Sequence, residues 1–335
     1  MSILHSRATN NAIFDNPPFA NGREADIHIT RQGSDFYYAV CAFMGFFAIV
    51  FLASSLTKHR TNRLFFYLVA AYHFTACVAY YAMGSNLGFT PIEVEFSRQD
   101  SDVRGDARQI FWVRYCDWFV STPLILLTLF LTAGAPAPLI FLTIFMDEFM
   151  IIMGLVGAVT TSGYKWGFFA FGCAALCVVL WNLIWQGRKY ARHLGSDVSR
   201  AYILPMTILL LSWICYPIAW GVSEGGNVIA PTSEAVFYGV CDIVAKPFFS
   251  IALLFLHRKI DPARMGLKFR DYDDDFAIMA HQNGTTRGHH AHDRKDSPPL
   301  GEGVRASEAA DHPIAADGTA AHHDAVHHDT TTHPA

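Results

Sequence analysis

Four ionisable residues stand where the neighbouring sequence is otherwise apolar: Arg114 with Asp117, and Asp242 with Lys246. On a helix the members of each pair lie one turn apart on the same face. Their formal charges sum to zero, so a dry interior can hold them as partners. One reading is two structural ion pairs joining two helices. The other gives Lys246 a chemical task, because an amine in an apolar pocket can condense with a carbonyl compound to an imine. Nearby aromatic residues bear on the choice. Trp213, Tyr216 and Trp220 follow i, i+3, i+7 spacing and line one helix face, and Trp118 adjoins Asp117. Such a stripe is more often plain core than a cofactor box, but opposite a buried lysine it suits a long conjugated aldehyde bound as an imine.

These residues need a scaffold that buries them, and composition points to a membrane. Of 335 residues 52% are hydrophobic and only 16% charged, a balance unlike that of ordinary soluble domains. A span needs about 20 apolar residues of helix. Seven stretches qualify, at about 36–57, 64–84, 108–131, 139–160, 165–186, 202–222 and 233–256, bounded by polar, Gly or Pro-containing sequence. The expected fold is therefore an all-α, seven-transmembrane helix bundle. Ionisable residues at membrane depth are costly and usually mark function. Basic residues cluster after the first span (Lys58, Arg60, Arg63), after the fifth (Arg188, Lys189, Arg192) and after the seventh (Arg258, Lys259, Arg264, Lys268, Arg270). The positive-inside rule makes those regions cytoplasmic and the N-terminus extracellular.

The expected organisation is an extracellular N-terminal segment at 1–35, the seven-helix domain at 36–257 and a cytoplasmic tail at 258–335. Segment 1–35 contains no apolar run that would serve as a signal peptide. Alternation around Ile92 to Phe96, within 85–107, suggests a short extracellular hairpin. Beyond about 271 the chain is poor in large apolar residues and is expected to be disordered. Its pairs His289-His290, His322-His323 and His327-His328 read as solvated rather than as a metal site. All seven cysteines fall in apolar segments and read as small buried hydrophobes. No footprint for nucleic acid is visible, and the net charge of -4 resides in loops and tails, so it names no partner.

The run Arg114-Tyr115-Cys116-Asp117-Trp118, followed by Ser121-Thr122-Pro123, resembles a signature of the microbial (type 1) rhodopsins. So do Asp242-Ile243-Val244-Ala245-Lys246, Trp213 with Tyr216, Pro217 and Trp220, and Asp147 with Met150 and the Gly154-Leu155-Val156-Gly157 run. The extended 85–107 stretch, the Glu224 and Glu234 pair and the long tail are most similar to the fungal opsin branch, with the pump side of the comparison bacteriorhodopsin-like. The resemblance implies all-trans retinal in the bundle core, held as a Schiff base on Lys246. It makes Asp117 the counter-ion and primary proton acceptor, Asp242 the second counter-ion and Arg114 a switchable cation. Tyr80, Tyr216 and Trp118 would form a hydrogen-bonding and packing shell, with Ser121 and Thr122 beside it. Trp213, Trp220, Met150, Gly154 and Ile125 would shape the pocket. Glu224 and Glu234 would release a proton outward, with Arg114 swinging toward them after Asp117 is protonated.

One departure bears on function. Members that pump efficiently carry an acid eleven residues after the acceptor, nearly on the same face and about 16 Å along the helix; here that residue is Thr128. His73, on the face of Tyr80 and nearer the cytoplasm, could substitute, because the histidine side chain ordinarily titrates near neutrality, although a hydrogen-bonded buried histidine is the favoured reading. Ser121 keeps the hydroxyl that many relatives carry on threonine. Pro247, directly after the lysine, removes a backbone donor and is expected to kink the helix. Glu148 is an extra acid without an assigned role. The leading expectation is an outward light-driven proton pump with a slow cycle in the plasma membrane, its partners being the lipid bilayer and protons. The rival is a photosensor whose long-lived deprotonated state signals through an unidentified partner. Neither reading is enzymatic turnover, a channel is disfavoured, and a homo-oligomer is compatible with both.

Overall fold

The computed structural model describes residues 10–94 and 105–267 of the chain. After a short helix α1 (Ala12–Asp15) come seven helices long and apolar enough to cross a bilayer. They are α2 (Arg31–Ser55), α3 (Leu64–Gly84), α4 (Trp112–Thr132), α5 (Ala137–Val159), α6 (Lys165–His193), α7 (Ser196–Gly225) and α8 (Pro231–His257). The chain is an integral multi-pass membrane protein. Helices meet the requirement of a hydrocarbon interior, because every backbone N–H and C=O bonds within its own segment. Neighbours in sequence pack as neighbours in space, and α2 closes the ring against α8. Phe74, Phe141, Leu211 and Ile218 remain on the outer surface, where lipid rather than protein covers them.

The helices do not share the interior equally. The apolar window of α4 is 61% buried and that of α8 50%, against 17% for α5, so α4 and α8 carry the residues that face the centre. They are the two helices that bear Asp117 and Lys246. Three stretches are wound as π-helix: Asn182–Gly187 in α6, Gly221–Gly225 at the end of α7, and Val244–Phe248 in α8. The last contains Lys246 and Pro247, and the missing proline N–H accounts for the altered winding there.

The end of the bundle bearing the N-terminus is closed by short strands. Phe19–Ala20 (β1) pairs with Arg23–Glu24 (β2), and Thr90–Glu93 (β3) pairs antiparallel with Ala107–Ile110 (β4). Gly88 leads into β3 with a φ of +74°, and a Cβ there would lie 2.7 Å from Val113 Cβ, so only glycine fits the turn. Ile27 bridges Arg108, and the Ile29 amide donates to Gln109 Oε1 at 3.0 Å. The N-terminal segment is thus fastened onto the hairpin.

Several boundaries differ from the sequence expectation. The third span was expected from 108, whereas 107–110 is strand and α4 begins at Trp112. Apolar residues fill both elements, so hydropathy does not separate them. The first span begins at Arg31 rather than about 36, and the sixth at Ser196 rather than about 202, because polar first turns still form helix outside the hydrocarbon. The hairpin forms with β3 near its expected place, while Phe96 lies outside the described residues. So do the tail beyond 267 and its histidine pairs. The seven cysteines are free thiols, but only Cys241 is fully buried; Cys116 and Cys177 lie exposed on the outer surface of their helices.

Candidate functional site

Lys246 projects from the π-wound turn of α8 into the bundle and is buried. Its Nζ lies 3.0 Å from Asp117 Oδ2 on α4 and 3.2 Å from Asp242 Oδ1, one turn earlier on α8. Both carboxylates are buried. Taking such ions from water costs several kcal/mol each, so the arrangement persists only because each has an opposite charge and Asp242 has further hydrogen bonds as well. For Asp242 those bonds come from Tyr80, whose hydroxyl donates to Oδ2 at 2.7 Å, and from Tyr216, whose hydroxyl donates to Oδ1. Asp117 has no comparable pair of donors, and its Oδ1 meets no hydrogen-bonding partner among the described residues. The two acids flanking the amine are therefore unequal: Asp242 is anchored by two phenols, and Asp117 retains capacity to accept.

A cavity extends from Lys246 between α4, α5, α6 and α7. Its wall includes Trp118, Thr122, Ile125, Met150, Gly154, Trp213, Tyr216, Trp220 and Asp242. All were expected near the lysine from sequence. Ser121 is buried beside Asp117's turn and Tyr80 beneath Asp242, but neither lines the cavity. Sequence reading did not single out Tyr115, Phe169, Gly172, Cys173, Leu176 or Tyr238, which also line it. The aromatic rings are locked: Trp118 meets Tyr216 edge-on at 5.2 Å, and the Trp220 indole donates to Gly154 O at 3.1 Å. A Cβ on Gly154 would stand 3.2 Å from Tyr115 Cε1, so glycine keeps the wall recessed. Thr122 donates to Asp147, which is buried on α5, at 2.5 Å. Glu148, next to it, is only partly buried.

A primary amine flanked by two carboxylates at the end of an apolar aromatic slot fits retinal held as a cationic imine. Lys246 would hold it, and Trp118, Trp213 and Trp220 would confine its chain. Among the described residues, no cluster of His, Cys, Asp or Glu is arranged to bind a metal ion.

A second buried cluster lies toward the N-terminal end. Arg114 Nη1 contacts Glu234 Oε1 at 2.6 Å and Glu224 Oε1 at 3.2 Å, and Nη2 donates to the Tyr37 hydroxyl at 2.9 Å. Its guanidinium also sits 4.2 Å above the Tyr238 ring, whose hydroxyl donates to Glu224 Oε2 at 2.8 Å. The expectation that Arg114 swings toward the glutamates is thereby altered, since it already holds both. A third cation, Arg108, contacts Glu234 Oε2 at 2.6 Å. Sequence reading missed it because the residue was absorbed into the apolar third span. Tyr37 and Tyr238 were missed because tyrosines are common in this chain and carry no spacing signal.

The opposite half of the bundle is poorer in charge. Thr128 is buried and donates to Ile125 O at 2.6 Å. One turn on, Thr132 donates to Thr128 O at 2.7 Å and meets His257 Nε2 at 3.0 Å. His73 Nδ1 lies 2.7 Å from Val69 O, while its Nε2 has no partner. Its ring stacks on Tyr72, which bonds Ser250 at 2.5 Å, and Ser250 in turn donates to Lys246 O at 2.6 Å. No hydrogen bond or ion pair joins a carboxylate to Thr128, Thr132, His73 or His257 among the described residues.

Comparison with known proteins gives a consistent neighbourhood. Residues 32–260 match the family described as bacteriorhodopsin-like protein. The opsin-like protein carO of Fusarium fujikuroi is 50% identical over 282 residues, covering 84% of this chain and 92% of the relative. Among solved structures, the light-driven proton pump rhodopsin of Coccomyxa subellipsoidea superposes with a TM-score of 0.65 at 35% identity, covering 68% of this chain and 98% of that one. Halorhodopsin, a light-driven chloride pump, gives a TM-score of 0.65 at 26% identity, covering 70% and 98% respectively.

Proposed function

The chain belongs to the bacteriorhodopsin-like family as a fungal type 1 rhodopsin, whose members bind retinal through a Schiff base to a lysine, and from that premise we propose that it is an outward light-driven proton pump with a slow cycle. The observation that carries this reading is the Lys246 amine between Asp117 and Asp242, with a buried chain of acids and cations leading from it toward one end of the bundle only. Retinal, bound as an imine at the Lys246 nitrogen, would supply light absorption and an isomerisation that re-aims the N–H.

Asp117 then takes the proton, being close enough at 3.0 Å and less committed to other donors than Asp242. Tyr80 and Tyr216 hold Asp242 in place as the remaining negative charge. Once Asp117 is neutral, Arg114 is left with Glu224 and Glu234 as its counter-charges, and its field favours their ionised forms. A proton leaves at that end. By the distribution of basic loops this end is extracellular, and the membrane is the plasma membrane. Chloride transport is disfavoured because the Asp117 carboxylate already stands where an anion would have to approach Nζ.

Return of a proton from the other side lacks a fixed acid at Thr128, which makes the cycle slow. That same observation favours a second reading, a photosensor in which the deprotonated state signals to a partner. A planar-bilayer recording separates the two. A pump sustains an outward photocurrent under continuous light, whereas a sensor gives a transient that decays to zero.

A further inference from the structure

Arg108 belongs to none of the helices. It sits on β4 of the hairpin, is buried, and reaches into the first turn of α8. Its side-chain contacts all fall within residues 227–234, the turn that leads into α8. Nη2 lies 2.6 Å from Glu234 Oε2, and Nη1 donates to Asn227 Oδ1 at 2.5 Å and to Ile229 O at 2.8 Å. The backbone of Arg108 is bridged by Ile27 from the N-terminal segment, and its strand is paired to β3. Arg108 is therefore held by backbone pairing on both sides before it meets the glutamate.

The consequence concerns the two glutamates. Glu234 gives one oxygen to each of two guanidinium groups, both at 2.6 Å. Glu224 gives Oε1 to Arg114 at 3.2 Å and Oε2 to the neutral Tyr238 hydroxyl. Lys165 Nζ is also near, at 3.5 Å from the Glu224 backbone oxygen. Charge-assisted bonds strengthen as they shorten, and an opposite charge within about 4 Å favours an ionised carboxyl. Of the two, Glu234 is the worse place for a proton and Glu224 the better. The shared Arg114 Nη1 contacts one oxygen of each, so the two acids do not act independently.

We infer that Arg108 is a positioning residue that fixes Glu234 as a permanent carboxylate, so that the proton released on this side is held by Glu224. Loss of that proton leaves Glu224 ionised against Arg114, and Glu234 bonds and charge stay unchanged throughout. Remove Arg108, and Glu234 keeps a single cation, shared with Glu224; the proton can then reside on either acid. The inference rests on the proposed pump reading for the direction of release, but the location of the proton does not depend on transport.

The test is made on the full-length, retinal-bound protein labelled with 13C in the glutamate side chains, using infrared and solid-state NMR signals of protonated carboxyls in the dark. The unmodified protein should show one protonated glutamate in this cluster. That signal should vanish in Glu224→Gln and survive in Glu234→Gln. In Arg108→Gln a signal removable by Glu234→Gln should appear, and Arg108→Lys should restore the original pattern. A merely structural role for Arg108 would move folding and colour without relocating the proton. If Arg108→Gln fails to fold, the two glutamate variants and Arg108→Lys decide the matter. Loss of the signal in Glu234→Gln of the otherwise unmodified protein, or an unchanged pattern in folded Arg108→Gln, would overturn the inference. A chain that transports no protons yet shows the expected carboxyl pattern would reject the pump reading and leave this one standing.

Discussion

Replacing Thr128 by aspartate should convert a slow, pH-dependent return of the proton to the Lys246 nitrogen into a fast and nearly pH-independent one. Thr128 is buried, and its hydroxyl is committed to Ile125 O at 2.6 Å, so the unmodified residue neither stores nor supplies a proton. It stands eleven residues after Asp117, about 16 Å farther along α4. Among the described residues, the groups bonded onward from it are Thr132 and, through it, His257 at 3.0 Å. Without a fixed acid the proton comes from bulk water, and where bulk protons are the reactant the rate falls about tenfold for each unit rise in pH. A positioned acid typically contributes about 10² to 10⁴-fold, equivalent to about 2.7 to 5.4 kcal/mol off the barrier. Thr128→Asp should accelerate recovery within that range at neutral pH and flatten its pH profile. Flash photolysis of the purified protein across neutral pH measures both. His73→Ala serves as the control for the other histidine, whose free Nε2 leaves it a candidate donor. A fast, pH-independent recovery in the unmodified protein that survives His73→Ala would refute the reasoning.

Lys246→Ala should give a colourless protein, read from the absence of a visible retinal-dependent band after reconstitution. It should also destabilise the fold by about 3 to 5 kcal/mol, because Asp117 and Asp242 lose their shared cation in a buried setting; the shift in thermal unfolding reads this. Asp117→Asn removes one of two negative charges about 3 Å from the nitrogen, which at an effective dielectric constant of 20 corresponds to an interaction of about 5 kcal/mol. Absorption should move to longer wavelength at neutral pH, as it should in acid for the unmodified protein; an unmoved spectrum would shift the counter-ion assignment to Asp242.

The seven spans and the central ion pair were legible because both rest on local patterns. Apolar length identifies a span, and a charge inside one announces itself, as Lys246 and Asp117 do. Four short motifs on four helices supplied much of the cavity wall, but not the part that Phe169, Gly172, Cys173 and Leu176 of α6 contribute. What the sequence concealed depends on contacts between distant segments. Arg108 lies in an apolar run that reads equally as strand or helix, and Glu234, its partner, comes 126 positions later. The sequence suggested a mobile Arg114, but Tyr37 and the Tyr238 ring hold it with both glutamates, and nothing in the spacing of those tyrosines reveals this. Hydropathy also started the first and sixth helices too late, since the polar turns from Arg31 and Ser196 remain helical where water satisfies their side chains.

The central claim is that light moves protons outward through this chain, and pH in an unbuffered suspension of cells expressing the retinal-bound protein tests it most directly. Illumination should acidify the medium, the signal should collapse on adding a protonophore, and Lys246→Ala cells should give none. Replacing chloride by sulfate should leave it unchanged. Alkalinisation that grows with the protonophore and requires chloride, or no pH change from cells that carry the coloured protein, would contradict the account.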